Sequence, residues 1–73
     1  KRRITVNAVA PAFIETEMFP GNRTEEHLNS IRSKIAVHRF GRAEEVADLV
    51  YCLISNKYIN GSVFSIDGGY DYK

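Results

Sequence analysis

The sequence has 73 residues, 44% hydrophobic and 26% charged, a balance that belongs to globular chains and excludes a disordered tail. Ten Lys and Arg against nine Asp and Glu leave a formal net charge of +1, too balanced to call for nucleic acid or an anionic membrane as partner. One cysteine excludes an internal disulfide, and the two separated histidines beside it make no zinc site, so a reducing, cytoplasmic setting without a metal is expected.

The basic start, Lys1-Arg2-Arg3, reads as a solvated connection and leads into Thr5 and Asn7, not into a signal-peptide core. Ile4 to Ala10 is rich in β-branched side chains, apolar on both alternating faces and stopped by Pro11, which predicts a strand buried on both faces. From Pro11 to Arg23 no period is visible and Pro20-Gly21-Asn22 punctuates the stretch, which predicts a long loop with a task. Asn22 with Glu25 three residues on resembles a capping pair, and Leu28, Ile31 and Ile35 give the stripe of a short amphipathic helix. Val37 to Arg42 reads as a second loop. Glu44 and Glu45 then fit the positive end of a helix, and Val46, Leu49, Val50, Leu53 and Ile54 follow in the strongest period of the chain. Leu49 to Ile54 is the longest apolar run, far short of a membrane span. Asn60-Gly61 predicts a turn, Ser62 to Ile66 a second strand, and Gly68-Gly69 a turn that needs positive φ.

Strand, helices, strand is a crossover, and a crossover of this length joins parallel strands with helix on one face. Parallel sheets are stable when both faces are covered, so two such strands read as the end of something larger. No repeat or linker divides the chain, and residues 1–73 are read as one segment of a single domain.

Three blocks carry a resemblance: Val6 to Met18, Arg39-Phe40-Gly41-Arg42-Ala43-Glu44-Glu45-Val46-Ala47, and Tyr58-Ile59-Asn60-Gly61 with Ile66-Asp67-Gly68-Gly69. In this order and spacing they resemble the C-terminal segment of the short-chain dehydrogenase/reductases, with the 3-oxoacyl-acyl-carrier-protein reductases of fatty acid biosynthesis nearest. The resemblance implies an α/β fold in which Ile4 to Ala10 and Ser62 to Ile66 are the last two parallel strands of a Rossmann-type doubly wound sheet, with intervening helices. It also implies an oxidoreductase that uses NADPH or NADH to reduce a ketone such as a 3-oxoacyl thioester, or to oxidise a secondary alcohol. The family's glycine-rich turn, its N-N-A-G segment and its catalytic Ser with Tyr-x-x-x-Lys are absent from these residues. Tyr51 is followed four residues on by Ser55 and Tyr58 by Ser62, so no catalytic residue is assigned and the segment alone is expected to be inactive.

The loop that starts at Pro11 leaves the carboxyl end of a parallel strand, the level at which open α/β sheets bind ligands. By the resemblance it covers the nicotinamide: the backbone of Ile14 meets the carboxamide, Thr16 offers a hydroxyl to the carboxamide or a phosphate, and Pro11 and Met18 join them as cofactor-binding candidates. Ala12 stands where the family usually has glycine. Two plainer readings stay open, Pro11 as a strand terminator and Thr16 as the cap of a short turn. Glu15 and Glu17 read as solvated, and His27 and His38 as surface residues, since neither histidine has a nucleophile at motif spacing.

Tyr51 and Cys52 lie roughly 130° from the centre of the apolar stripe on either flank, where a solvated helix would carry charge. Val63 and Phe64 lie on a strand that the resemblance places at the sheet's edge, and the resemblance implies that this helix and strand make a two-fold contact within a homotetramer. Tyr51 snorkelling to water is the plainer alternative. A small-molecule or acyl-carrier substrate completes the enzyme reading. The rival is a non-catalytic truncated product or assembly fragment, whose remaining capability is subunit contact.

Overall fold

The computed structural model describes residues 4–71; Lys1-Arg2-Arg3, read as a solvated connection, and Tyr72-Lys73 lie outside the described residues. Six elements follow in order: β1 (Ala8–Pro11), β2 (Ile14–Glu15), α1 (Glu25–Ser33), β3 (Gly41–Arg42), α2 (Ala43–Ser55) and β4 (Val63–Ile66). The expected crossover is present. β1 and β4 run parallel, with Ala8 opposite Val63 and Pro11 opposite Ile66, so the chain is α/β with a parallel strand pair.

The first strand differs from expectation. Its ladder begins at Ala8 and includes Pro11, while Ile4 and Val6 are 65% and 71% exposed, so the segment is not buried on both faces. The reason is a side-chain bracket that replaces ladder bonds. Asn7 donates from Nδ2 to the Ile59 carbonyl at 3.2 Å and accepts from the Ser62 amide at 3.0 Å. Beside it, the Val6 amide donates to Asn60 Oδ1 and the Val6 carbonyl accepts from the Gly61 amide. Val6 and Asn7 are thus tied to the Asn60-Gly61 turn, as a polar segment is, not stacked under cover.

Helix α1 is capped by Thr24 and not by Asn22: Thr24 Oγ1 accepts from the His27 amide at 3.1 Å, and Glu25 and Glu26 occupy the first turn. Asn22 is spent one step earlier, in the turn that brings the Arg23 amide to the Pro20 carbonyl. Helix α2 begins at Ala43 as expected, but only part of its stripe is covered. Leu53 is buried and Val46 and Leu49 are half-buried, while Val50 and Ile54 are exposed, because a two-stranded pair is too narrow to sit under the whole stripe.

The densest packing lies elsewhere. Leu28, Ile31, Ile35 and Phe40 form the core cluster, with Phe13, Phe19 and Tyr70 packed against it. Phe19 meets Phe40 edge-on at 5.0 Å between centroids, an arrangement that aromatic rings favour. The carboxyl-terminal residues seat this cluster: the Val37 amide donates to the Gly68 carbonyl at 3.2 Å and the Asp71 amide to the Lys34 carbonyl at 2.8 Å. Gly68 and Gly69, at φ 63° and 79°, make the positive-φ turn that the sequence asked for.

Candidate functional site

The site is built at the carboxyl end of β1. The Ala8 and Ala12 amides donate to the Ser62 and Ile66 carbonyls, so by the two-residue period the even-numbered amides face β4 and the odd-numbered positions face the opposite edge. Pro11 presents that opposite edge, which no strand pairs among the described residues, and it has no N–H to offer there. Two residues later the chain turns sharply: Phe13 has φ 59°, a conformation that is strained for a bulky residue. Ring contacts hold it there, to Tyr70 at 4.6 Å and to Phe19 at 5.8 Å.

The turn delivers Ile14 and Glu15 as β2, alongside β3, a pairing inside stretches that the sequence presented as structureless loops. The Gly41 amide donates to the Phe13 carbonyl at 3.0 Å, and the parallel pattern gives the Gly41 carbonyl to the Glu15 amide. Ile14's own N–H and C=O therefore point away from β3. Gly41 is required for closeness rather than for φ, since a Cβ there would stand 2.7 Å from Ile14 Cδ1.

Ile14 lines an open cleft of about 190 Å³ with Ala12, Val37, Arg39, Gly41 and Glu45 among its other walls. The charged part of that wall is an ion pair. Arg39 Nη1 and Nη2 donate to Glu45 Oε1 and Oε2 at 2.9 and 2.7 Å, and Oε1 also accepts from the Arg42 amide at 2.9 Å. Glu45 is third in α2, so this last bond satisfies an orphan donor at the helix start. Hydrogen bonds from Arg39 first and from the Arg42 backbone second hold the Glu45 carboxyl down to about 2, and the same partner raises Arg39. Sequence reasoning missed this pair. The signal was there, in an Arg and a Glu placed across a Gly from one another just where a helix starts.

Of the four cofactor candidates, Ile14 reaches the cleft wall and the others line the loop beside it. Pro11 is exposed at the end of β1, and Met18 is 86% exposed. Thr16 does cap a short turn: its Oγ1 accepts from the Met18 and Phe19 amides at 3.2 and 3.3 Å. That use leaves the hydroxyl hydrogen to donate, so the capping and binding readings are compatible. A nicotinamide carboxamide needs one donor and one acceptor, and Ile14 presents both on one edge. The residues present fit the group.

Glu15, Glu17, His27 and His38 are exposed, as read from the sequence. Tyr51, Cys52 and Val63 are exposed and Phe64 is half-buried. Among the described residues no group of three His, Cys, Asp or Glu side chains could hold a metal ion, and no helix is long and apolar enough to cross a membrane.

Residues 1–71 match a family model described as enoyl-(acyl carrier protein) reductase. The chain is 46% identical over 70 residues to the 3-oxoacyl-acyl-carrier-protein reductase of Thermotoga maritima, covering 93% of this chain and 28% of that protein. Among solved structures, a short-chain dehydrogenase/reductase of Serratia marcescens superposes with a TM-score of 0.80 at 39% identity, over 92% of this chain and 27% of that one. YwfH, an NADPH dependent reductase involved in bacilysin biosynthesis, superposes with a TM-score of 0.82 at 34% identity, over 97% of this chain and 31% of that one. The chain thus spans about 28% of the length of the curated relatives it matches.

Proposed function

The chain belongs to the short-chain dehydrogenase/reductase family, and from that premise we propose that it serves as the nicotinamide-side segment of a longer NADPH-dependent reductase that acts on a 3-oxoacyl thioester carried by an acyl-carrier protein. The observation that carries this reading is the free backbone edge of Ile14, at a cleft on the carboxyl side of a parallel strand pair.

When bound, the reduced nicotinamide supplies a hydride to the carbonyl carbon. Ile14 offers its N–H to the carboxamide oxygen and its C=O to the carboxamide nitrogen, which selects one ring orientation. Thr16 donates its remaining hydroxyl hydrogen to the carboxamide or a phosphate, and Pro11 ends the strand so that the loop is free to turn over the ring. Met18, exposed in the same loop, would add an apolar contact to the ring when the cofactor is bound. These contacts are weak singly and act by fixing geometry before reaction. NADPH is favoured by what is said of YwfH and NADH is the alternative.

The test is cofactor titration of the full-length reductase that contains these residues. Saturable binding of NADPH and its oxidation by a 3-oxoacyl thioester are expected; a protein that binds neither NADPH nor NADH overturns the reading. Thr16→Val removes one hydrogen bond and weakens cofactor binding by about 0.5–1.5 kcal/mol. An unchanged dissociation constant and turnover leave Thr16 as a turn cap alone.

The same protein is proposed to be a homo-oligomer. Tyr51 and Val63, each 72% exposed, present apolar surface on α2 and β4, the elements that also carry Cys52 and Phe64. Sedimentation of the full-length protein and its Tyr51→Glu, Phe64→Glu variant checks this. Dissociation of the variant to monomers is expected, and a variant with the wild-type assembly rules the surface out.

A further inference from the structure

We propose that Arg39 and Glu45 are positioning residues for the Ile14 backbone, acting through the β2–β3 pair. This rests on the reading that Ile14 meets the nicotinamide carboxamide.

Little holds β2 and β3 together. Each is two residues long, and so short a pair has too few ladder bonds to fix its own register. Something else must aim the Gly41 amide at the Phe13 carbonyl, which it meets at 3.0 Å. Glu45 is placed for this, because it belongs to the first turn of the 13-residue helix α2 and moves with that rigid body. Its carboxylate reaches back over Gly41-Arg42 and takes the chain on both sides: Arg39 through two bonds and the Arg42 amide through a third. Arg39 Nη1 donates in addition to the Phe40 carbonyl at 3.0 Å, which fixes the peptide that precedes Gly41. The turn is thereby clamped from residue 39 to residue 42, and Ile14 sits opposite its centre.

The two side chains are 50% and 39% exposed. Exposed pairs add little to global stability, so their removal leaves folding nearly intact and disturbs the geometry that they impose. This separates a positioning role from a structural one.

The experiment uses the full-length reductase with Glu45→Gln, Arg39→Lys and Arg39→Ala, titrated with NADPH and with 2′-phospho-ADP-ribose, which keeps the adenine end of the cofactor and lacks the nicotinamide. Glu45→Gln is expected to weaken NADPH about fivefold, the equivalent of one hydrogen bond, and to leave 2′-phospho-ADP-ribose within about twofold. Arg39→Ala is expected to lose at least as much, and Arg39→Lys to recover part of it through its single charge-assisted bond. Equal losses for both ligands, or no loss for either, overturn the proposal. Should Arg39→Ala fail to fold, the isosteric Glu45→Gln decides. A wild type that binds neither ligand sinks the functional reading itself, and the positioning role with it.

Discussion

A carboxyl group held near 2 makes Glu45 a pH-sensitive point of the loop. Its folded value lies below the ordinary 4.5, so the unfolded chain takes up its proton first as pH falls. The stabilisation from Glu45 is therefore whole above about pH 4.5 and is lost as pH falls toward about 2. NADPH affinity measured between pH 7 and 5 is expected to be independent of this group, and a loss there that Glu45→Gln abolishes would contradict the assignment. Two glycines give a second contrast. Gly61 has φ 79° with open space where a Cβ would go, so Gly61→Ala costs the left-handed backbone penalty alone, about 1–2 kcal/mol. Gly68 has φ 63°, and an added Cβ would stand 2.8 Å from Ile35 Cγ2 and 3.0 Å from Val37 Cγ2, so Gly68→Ala is expected to destabilise by more than Gly61→Ala. Denaturant midpoints of the two variants in the full-length protein check the order.

At the scale of elements, the cluster around α1 has more buried than the face of α2 does. Ile35 is 1% exposed, and Ile35→Ala is expected to cost about 2–5 kcal/mol, read as a lower denaturant midpoint at constant slope. A loss under 1 kcal/mol would mean that the cluster collapses to fill the cavity. The helices and the parallel strand pair were legible because their signals are local: the 3.6-residue stripe at Val46 to Ile54, the acidic first turn, and β-branched runs ended by Pro11 and Gly68. The β2–β3 pair was not legible. Two residues carry no period, and what holds Ile14 against Gly41 is a missing Cβ and an ion pair formed twenty-five or more residues away. Asn7 misled for a related reason, since its side chain stands in for a ladder and leaves no mark on the apolar pattern. The Ile14 candidate was legible through resemblance alone, whereas the cap made by Thr16 was legible as a local one, a hydroxyl that accepts from amides two and three residues on.

The whole molecule measures 53 × 27 × 15 Å with a radius of gyration of 14.9 Å, whereas a compact chain of this length is expected near about 11 Å. A body 15 Å thick is little more than one layer of helix deep, and the five hydrophobic residues buried among the described ones cannot offset the chain entropy of so long a segment. The isolated chain is expected to show weak, non-cooperative melting by circular dichroism; a sharp thermal transition in a monomer would refute that. The separation of the α1 cluster from the strand pair has a further consequence. Leu28, Ile31, Ile35 and Phe40 seat on Phe13, Phe19 and Tyr70, not on the sheet. Through Phe13 the inner face of α1 is tied to the turn that delivers Ile14, whereas Glu26, Ser30 and Ser33 are exposed on its outer face. Selection can vary that outer face freely, while a change on the inner face is felt at the cofactor loop.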